Sequence, residues 1–362
     1  MPDATVVAMS GGVDSSVAAC LLEVEHRSSI GRPVVGVSQL IWAKESQFPA
    51  ALDLARDVCL RLGIPYFRVD LNREFERLIV RNFIDTYLEG QTPNPCVLCN
   101  QMIKFDILYR KVESELRTRG NLGEQDTLYF ATGHYARVEA EEGGYALKKG
   151  RDASKDQSYM LYRLPRSLLS RIVFPLGGLE KKEVIRMASR LDLPHREIRE
   201  SQDACFLEGN YGDYLVEKTG RVDLRHPGDI VDAGGRVLGR HRGFIRYTVG
   251  QRRGLGLGSG PWYVSRVDPI KNRVVVGRRE EVLRRSFEVS GVNWLVDREE
   301  SVFTCAVKVR YQTREINCAV RPLGPDCLGV ELAAGEVVTP GQSAVFYRED
   351  RVLCGGIIQA PA

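Results

Sequence analysis

Apolar and polar positions follow two different rhythms along this chain, and the change falls near residue 208. In the first part, Thr5-Val6-Val7-Ala8-Met9 is a β-branched apolar run of the kind that forms a buried strand. Val17 to Val24 then carries apolar residues at near-helical spacing. Pro33 to Val37 reads as a strand, and Ala51, Leu54, Ala55, Val58 and Leu62 form a helical stripe that stops at Gly63. Ile64 to Val69 returns to strand, Phe75 to Leu88 and Phe105 to Leu116 to helix, and Leu128 to Thr132 to a strand ending at Gly133-His134. Leu179 to Leu191 adds an amphipathic helix with a basic face. Such alternation predicts an α/β fold, a mostly parallel sheet covered by helices on both faces.

Beyond residue 208 the segments shorten. Glycines are dense from Gly209 to Val276, with turn signals at Pro227-Gly228 and Gly234-Gly235. Alternating strands follow at Cys305–Val309, Ile316–Val320, Gly329–Leu332 and Ala344–Tyr347, a spacing that predicts a small β-barrel. The expected domains are therefore residues 1–208, a small central domain at 209–280, and a C-terminal barrel at 281–362.

Composition narrows the class. A length of 362 residues suits two or three domains, and 43% apolar with 27% charged residues describes a soluble globular chain. A net charge of +4 permits a nucleic-acid partner through local patches without requiring one. No apolar run approaches the roughly 18 residues of a membrane span. The first strand begins by Thr5, which leaves no room for a leader peptide. Nine cysteines without a secretion signal imply mostly reduced thiols, and hence a cytoplasmic protein.

The most informative stretch is Ser10-Gly11-Gly12-Val13-Asp14-Ser15-Ser16, set between the first strand and the first helix. Its glycines allow close backbone approach, and the helix N-terminus offers unpaired N–H groups and a positive dipole to an anion. The common ATPase loop would need a lysine directly after the glycines, and none follows. The run instead resembles the pyrophosphate loop of ATP pyrophosphatases, which split ATP between its α and β phosphates. Asp14 has three readings here: orienting the loop, ligating Mg²⁺, or capping the helix start.

Two cysteine motifs stand out. Gln91-Thr92-Pro93-Asn94-Pro95-Cys96-Val97-Leu98-Cys99-Asn100 holds two prolines and an asparagine, which predicts a loop presenting Cys96 and Cys99 at a turn. A C-x-x-C spacing suits a metal site, a disulfide or a redox couple, and no second C-x-x-C completes a zinc ribbon. Cys205 lies in the polar stretch Glu200–Phe206, where a packing thiol has little reason to be. By contrast Cys20, Cys59, Cys305 and Cys318 fall on core faces and read as small buried hydrophobes.

Together these motifs resemble the tRNA-specific 2-thiouridylase family. The resemblance runs through SGGVDSS, TPNPCVLCN, ATGHYAR (131–137), SKDQSYMLY (154–162), FPLGGLEKKEV (174–184), SQDACF, YTVGQRRGLGLG (247–258), PWYV (261–264) and TPGQSAVFY (339–347), in family order. It implies an adenine nucleotide α-hydrolase domain, a small central domain and a C-terminal β-barrel. The implied reaction adenylates the 2-oxygen of the wobble uridine in tRNAs for Lys, Glu and Gln, then replaces it with sulfur supplied by a donor protein. The resemblance makes Cys99 the nucleophile and Cys205 the persulfide carrier. It places ATP, with Mg²⁺, on Ala8, Met9, Ser10, Gly11, Gly12, Val13, Asp14 and Ser15, with Gln39 and Gly133. Asn94, Pro95 and Cys96 would meet the target base, and Lys155, Asp156, Gln157, Arg310 and Tyr311 the rest of the tRNA.

Two positions depart from the family pattern. Cys96 stands where many members carry aspartate, so Cys96, Cys99 and Cys205 are also a candidate three-thiolate set for a [4Fe–4S] cluster. Gln39 stands where methionine is usual. For RNA contact, Lys148, Lys149, Arg151 and Lys155 are expected around a loop, with Arg252-Arg253 among glycines, and Tyr135 or Tyr159 as stacking partners for a flipped base. The rivals are an amide- or lysidine-forming synthetase sharing the loop, for which the thiols are superfluous, and a non-catalytic RNA-binding module.

Overall fold

The structure, a computed structural model, describes residues 3–28, 31–41, 48–191, 204–207 and 209–360. They divide into two compact units: Met1–Leu78 with Cys96–Ser201 and Asp350–Val352, and Ile79–Pro95 with Gln202–Glu349 and Leu353–Ala362.

The first unit is built on a five-stranded parallel sheet. Its strands are β1 (Ala4–Ala8), β2 (Val34–Leu40), β3 (Tyr66–Asp70), β4 (Leu128–Ala131) and, after a hairpin, Ile172–Val173. Their spatial order is β3, β2, β1, β4, then Ile172–Val173. Adjacent residues Val6 and Val7 are both fully buried, so β1 is covered on both faces, as its unbroken apolar run predicts. One core joins Val7 and Met9 to Val17, Ala18 and Leu22 of helix α1 (Val13–Arg27), to Val58 of helix α2 (Phe48–Leu62), and to Val184 and Ala188 of the helix Lys181–Arg190. Because β2 lies on one side of β1 and β4 on the other, the loops after β1 and β4 flank a crevice at the carboxyl edge of the sheet. Open α/β sheets bind ligands at such a reversal.

Two expectations need correction. First, of the cations expected around a loop, Lys148 and Lys149 end the second strand of an antiparallel hairpin, Ala136–Glu141 with Gly144–Lys149, and only Arg151 and Lys155 lie in the loop that follows. The Lys148 ammonium lies 2.9 Å from Glu139 and 2.7 Å from Glu141, and these carboxylates push its pKa up. It is committed to its own hairpin rather than to phosphates. Second, the loop expected through Gln91–Asn100 ends early, because a helix begins at Pro95. Proline is at home in a first helical turn, where its missing N–H costs nothing, so Pro95 starts the helix that Pro93 cannot enter. The winding widens to a π-type turn over Cys99–Leu108 and returns to α at Tyr109–Thr118.

In the second unit, a four-stranded sheet runs in the order Tyr263–Asp268, Arg273–Gly277, Gly228–Val231, Val237–His241. A six-stranded barrel follows: Arg284–Trp294, Cys327–Glu336, Ile316–Pro322, Phe303–Lys308, Ser343–Arg348 and Arg351–Ile358, closed by pairing of the first with the last. Val307, Val320, Val330, Leu332, Phe346 and Ile358 fill it. Cys305 and Cys318 face each other across neighbouring strands with sulfurs 3.7 Å apart. The early segment Ile79–Pro95 belongs to this unit: Phe83 packs edge-on to Phe206 at 5.1 Å, and Pro340 accepts a hydrogen bond from the Thr92 N–H at 2.9 Å.

Gly177 and Gly178 give a matched pair for testing the first unit. A Cβ on Gly177 would run into the Ala136 carbonyl oxygen, whereas one on Gly178 meets nothing within 4 Å. Gly177→Ala is expected to cost about 2 kcal/mol in denaturant unfolding and Gly178→Ala under about 0.5 kcal/mol. Equal losses would contradict the packing of this turn.

Candidate active site

The loop after β1 is held by its own hydroxyls. Ser10 and Ser15 hydroxyls lie 3.1 Å apart, the Ser10 N–H donates to Ser15 Oγ at 3.2 Å, and Ser15 and Ser16 both donate to the Gly12 carbonyl, at 3.0 and 2.9 Å. Gly12 is the N-cap of α1 without a side-chain cap, so the first turn keeps its N–H groups for a ligand. The two glycines differ in kind. Gly11 has φ +78° and no room for a Cβ, because the Ala51 carbonyl oxygen closes on it. At Gly12 a Cβ would meet only Ser10 Oγ, at 3.5 Å. Gly11 shapes the loop, and Gly12 keeps space open.

Gly133, placed in the nucleotide site by resemblance, does lie against the loop. Its hypothetical Cβ would stand 2.9 Å from Asp14 C and Ser15 N, so the end of β4 packs directly on the first turn of α1. Met9 takes part through its backbone, with its N–H donating to the Val37 carbonyl and its carbonyl accepting from the Ser38 hydroxyl at 2.6 Å. Ala8 ends β1 and Val13 opens α1. Gln39, near the end of β2, has a buried amide oxygen with no hydrogen-bond partner among the described residues. An acceptor so placed suits a base amino group.

Of the three readings of Asp14, the structure sets helix capping aside, since Gly12 occupies that position. The carboxylate is taken by Lys181, whose ammonium lies 2.8 and 2.7 Å from its two oxygens, and by the Tyr135 hydroxyl, which donates at 2.8 Å. A lysine therefore does stand at this loop, delivered from 167 residues further along the chain.

Tyr135 belongs to the loop after β4, and that loop is cross-linked. The Tyr135 N–H donates to Gln157 Oε1 at 3.0 Å, and the Gln157 N–H to the Tyr135 carbonyl at 2.8 Å. Asp156 is buried and accepts from the N–H groups of Gly150 and Ser158 and from the Ser158 hydroxyl. Its carboxylate shapes the turn from within, and Lys155, half-buried beside it, faces outward more. Tyr135 and Tyr159 are both buried, at 3% and 0% exposure, which corrects their reading as stacking platforms: no ring face is open to a base. His134 shares a 2.6 Å hydrogen bond with Thr132. Crowding by protein and the Lys104 charge hold its pKa well below the usual imidazole range, so it is neutral at physiological pH.

Pro95 starts the helix so that Cys96 is exposed and Cys99 buried. The surroundings of Cys96 push its thiol up, with Lys104 acting in the opposite sense. Asn100 is buried and donates to the Met160 carbonyl at 3.0 Å, tying the π-wound stretch to the segment after Gln157. Departures of this type from α winding occur often at functional sites.

In the second unit Cys205 is exposed in a turn, and the next residue, Phe206, is buried against Phe83 and Tyr214. Asn94 and Pro95 follow Thr92 and Pro93, whose carbonyls accept from Gln342 Nε2 at 3.1 and 2.9 Å. The guanidinium of Arg310 donates to the Val249 carbonyl at 2.8 Å and to Thr339, binding the Thr248–Gln251 turn; Tyr311 follows it half-buried. Cys20, Cys59 and Cys318 are buried as expected, and Cys59 is pushed up to about 12 by burial. Sequence reasoning missed the roles of Lys181, His134 and Gln342, although each sits inside a motif already singled out.

Three family models cover the chain: the tRNA methyl transferase HUP domain at residues 3–209, the tRNA methyl transferase PRC-barrel domain at 218–278, and the aminomethyltransferase beta-barrel domain at 284–358. Among curated proteins, the tRNA-specific 2-thiouridylase MnmA of Geobacter metallireducens is 42% identical, over 98% of this chain and 96% of its own. The protein of the same name from Chloroflexus aurantiacus is 43% identical over 98% of both chains. Among solved structures, the U34-tRNA thiolase NcsA from Methanococcus maripaludis with its [4Fe-4S] cluster matches 61% of this chain and 66% of its own, at 19% identity and a TM-score of 0.35.

The contrast between the two loop glycines is testable. Gly12 has extended backbone angles, φ −88° and ψ 164°, that any residue adopts. Gly12→Val is therefore expected to melt within a few degrees of wild type while losing ATP binding by at least tenfold in titration calorimetry. A folded Gly12→Val with wild-type ATP affinity would refute the placement of the anion site.

Proposed function

Because the chain belongs to the tRNA-specific 2-thiouridylase family, we propose that it is a tRNA-uridine 2-sulfurtransferase acting on the wobble uridine of tRNAs for Lys, Glu and Gln. The observation that carries this reading is the identity of 42–43% with curated 2-thiouridylases across nearly the whole chain. The loop at the sheet edge and the Cys96–Cys99 helix start are consistent with it. On this reading residues 1–208 carry the nucleotide chemistry, 209–280 form a small central domain, and the barrel at 281–362 serves tRNA binding. Among the described residues no helix is long and apolar enough to cross a membrane, and we place the enzyme in the cytoplasm.

A uridine carbonyl oxygen is a poor leaving group, and attack by this oxygen on the α-phosphate of ATP converts it to a good one. The bond between the α and β phosphates breaks and pyrophosphate leaves, stabilised by the N–H groups of the Gly12–Ser15 turn and the α1 dipole. Mg²⁺ supplies further charge compensation when bound. In the arrangement seen here the Asp14 carboxylate already serves Lys181 and Tyr135, so Mg²⁺ is best carried by the phosphates themselves. Neutral His134, beside the loop, can donate or accept one hydrogen bond without adding charge.

Sulfur then replaces AMP at C2. A persulfide on Cys205, loaded by a donor protein, is the nucleophilic source. Its outer sulfur bonds to C2 as AMP departs, and Cys99 then attacks the inner sulfur, breaking the S–S bond and freeing the thiolated base; or Cys99 attacks the inner sulfur first and releases hydrosulfide, which displaces AMP from C2. Either route transfers one sulfur to the base, joins Cys99 to Cys205 as a disulfide, and leaves an external thiol to reduce it. As the alternative, Cys96, Cys99 and Cys205 would be the three thiolates holding a [4Fe–4S] cluster, which would supply an open iron for a sulfide. No step is routed through it.

Incubation with tRNA, ATP, Mg²⁺ and a persulfide donor, with nucleosides analysed by mass spectrometry, tests the assignment. Wild type is expected to form 2-thiouridine, and Cys99→Ser and Cys205→Ser to form none while retaining tRNA binding. Normal thiolation by either variant would remove the two-thiol route, and no thiolation by wild type would remove the function.

A further inference from the structure

The nucleotide site has a cation that the sequence motif does not contain. Lys181 is the first residue of the helix Lys181–Arg190, and its main chain is fixed from several sides. Its N–H donates to Asp152 Oδ2 at 3.0 Å, the neighbouring Glu180 N–H donates to Glu183 at 2.7 Å, and Val184 and Ala188 are buried in the core shared with α1. From this anchored position the side chain reaches the first turn of α1, where both Asp14 oxygens receive the ammonium. The ammonium also lies 5.6 Å from the centre of the Tyr135 ring, whose hydroxyl bonds the same carboxylate.

This arrangement answers an electrostatic problem. A phosphate site at a helix N-terminus gains from N–H groups and dipole, yet an uncompensated carboxylate in its first turn would repel the incoming charge. Lys181 cancels that charge, and at 21% side-chain exposure it is sheltered without being sealed from solvent. A lysine is a compact, flexible point charge, able to keep one oxygen of Asp14 while contacting a phosphate oxygen.

Resting on the nucleotide-using reading above, we propose that Lys181 is the phosphate-binding cation of this site, held ready by Asp14 and Tyr135, and that it contacts the α-phosphate as pyrophosphate leaves. The lysine that other phosphate loops carry next to their glycines is here supplied by a later helix. A purely structural ion pair would support the fold and leave phosphate recognition untouched.

Binding of ATP, AMP and adenosine separates these roles. Lys181→Met is expected to lose roughly 10- to 100-fold in affinity for ATP and for AMP, the scale of one charged hydrogen bond, and to bind adenosine as wild type does. Lys181→Arg should recover most of that loss. Reductive methylation of wild type, read by mass spectrometry, needs no variant: MgATP should protect Lys181 and adenosine should not. Wild-type ATP affinity in folded Lys181→Met, or equal methylation with and without MgATP, overturns the proposal alone. A wild type that binds no ATP overturns the underlying reading with it.

Discussion

The site depends on one close approach: the backbone after β4, at Gly133, lies against the first turn of α1 at Asp14 and Ser15 with no room for a side chain between them. That contact joins two strands whose connections leave in opposite directions, and it makes a crevice out of a sheet edge. It brings Thr132, His134 and Tyr135 to the loop of Ser10–Ser16. Tyr135 in turn carries Gln157 by a pair of hydrogen bonds and reaches back to Asp14. Asn100 ties the Cys96–Cys99 helix to Met160 in the same chain of contacts. Thus the nucleotide loop and the C-x-x-C segment of the first unit rest on a common scaffold.

Charge follows the same geometry. The loop itself offers only partial charges, from N–H groups and the helix dipole, and Asp14 would oppose an anion there. The helix Lys181–Arg190 corrects this with a full positive charge, while its apolar face secures it to the core of α1. Nearby, Lys104 adds a second positive influence, felt at both His134 and Cys96. Crowding keeps the imidazole neutral, so the positive charge beside the loop is carried by lysines.

Much of this was legible in the sequence because the signals were local. The β-branched run of β1, the double glycine and the apolar stripe of α1 each predict their own conformation, and the structure agrees with them. Errors arose where a local rule had a second solution. Prolines at 93 and 95 suggested a loop, but proline also opens helices, and Pro95 does so. Lys148 was expected among cations around a loop free to meet phosphates, but Glu139 and Glu141 take its ammonium within a hairpin that the sequence pattern did not reveal. Barrel strands Arg284–Trp294 and Arg351–Ile358 were missed because charges interrupt one and Gly355-Gly356 the other, where a Cβ on Gly356 would press on Ser290. Lys181 escaped notice for a different reason: its meaning lies entirely in its contact with a residue 167 positions away.

The central claim is that this crevice transfers adenylate to the base oxygen. Isotope tracing tests it most directly: tRNA carrying ¹⁸O at C2 of the wobble uridine is thiolated with ATP in unlabelled water, and the nucleotide product is weighed by mass spectrometry. The account predicts one ¹⁸O in each AMP for each 2-thiouridine formed. AMP without label, or ADP as the product, would contradict it.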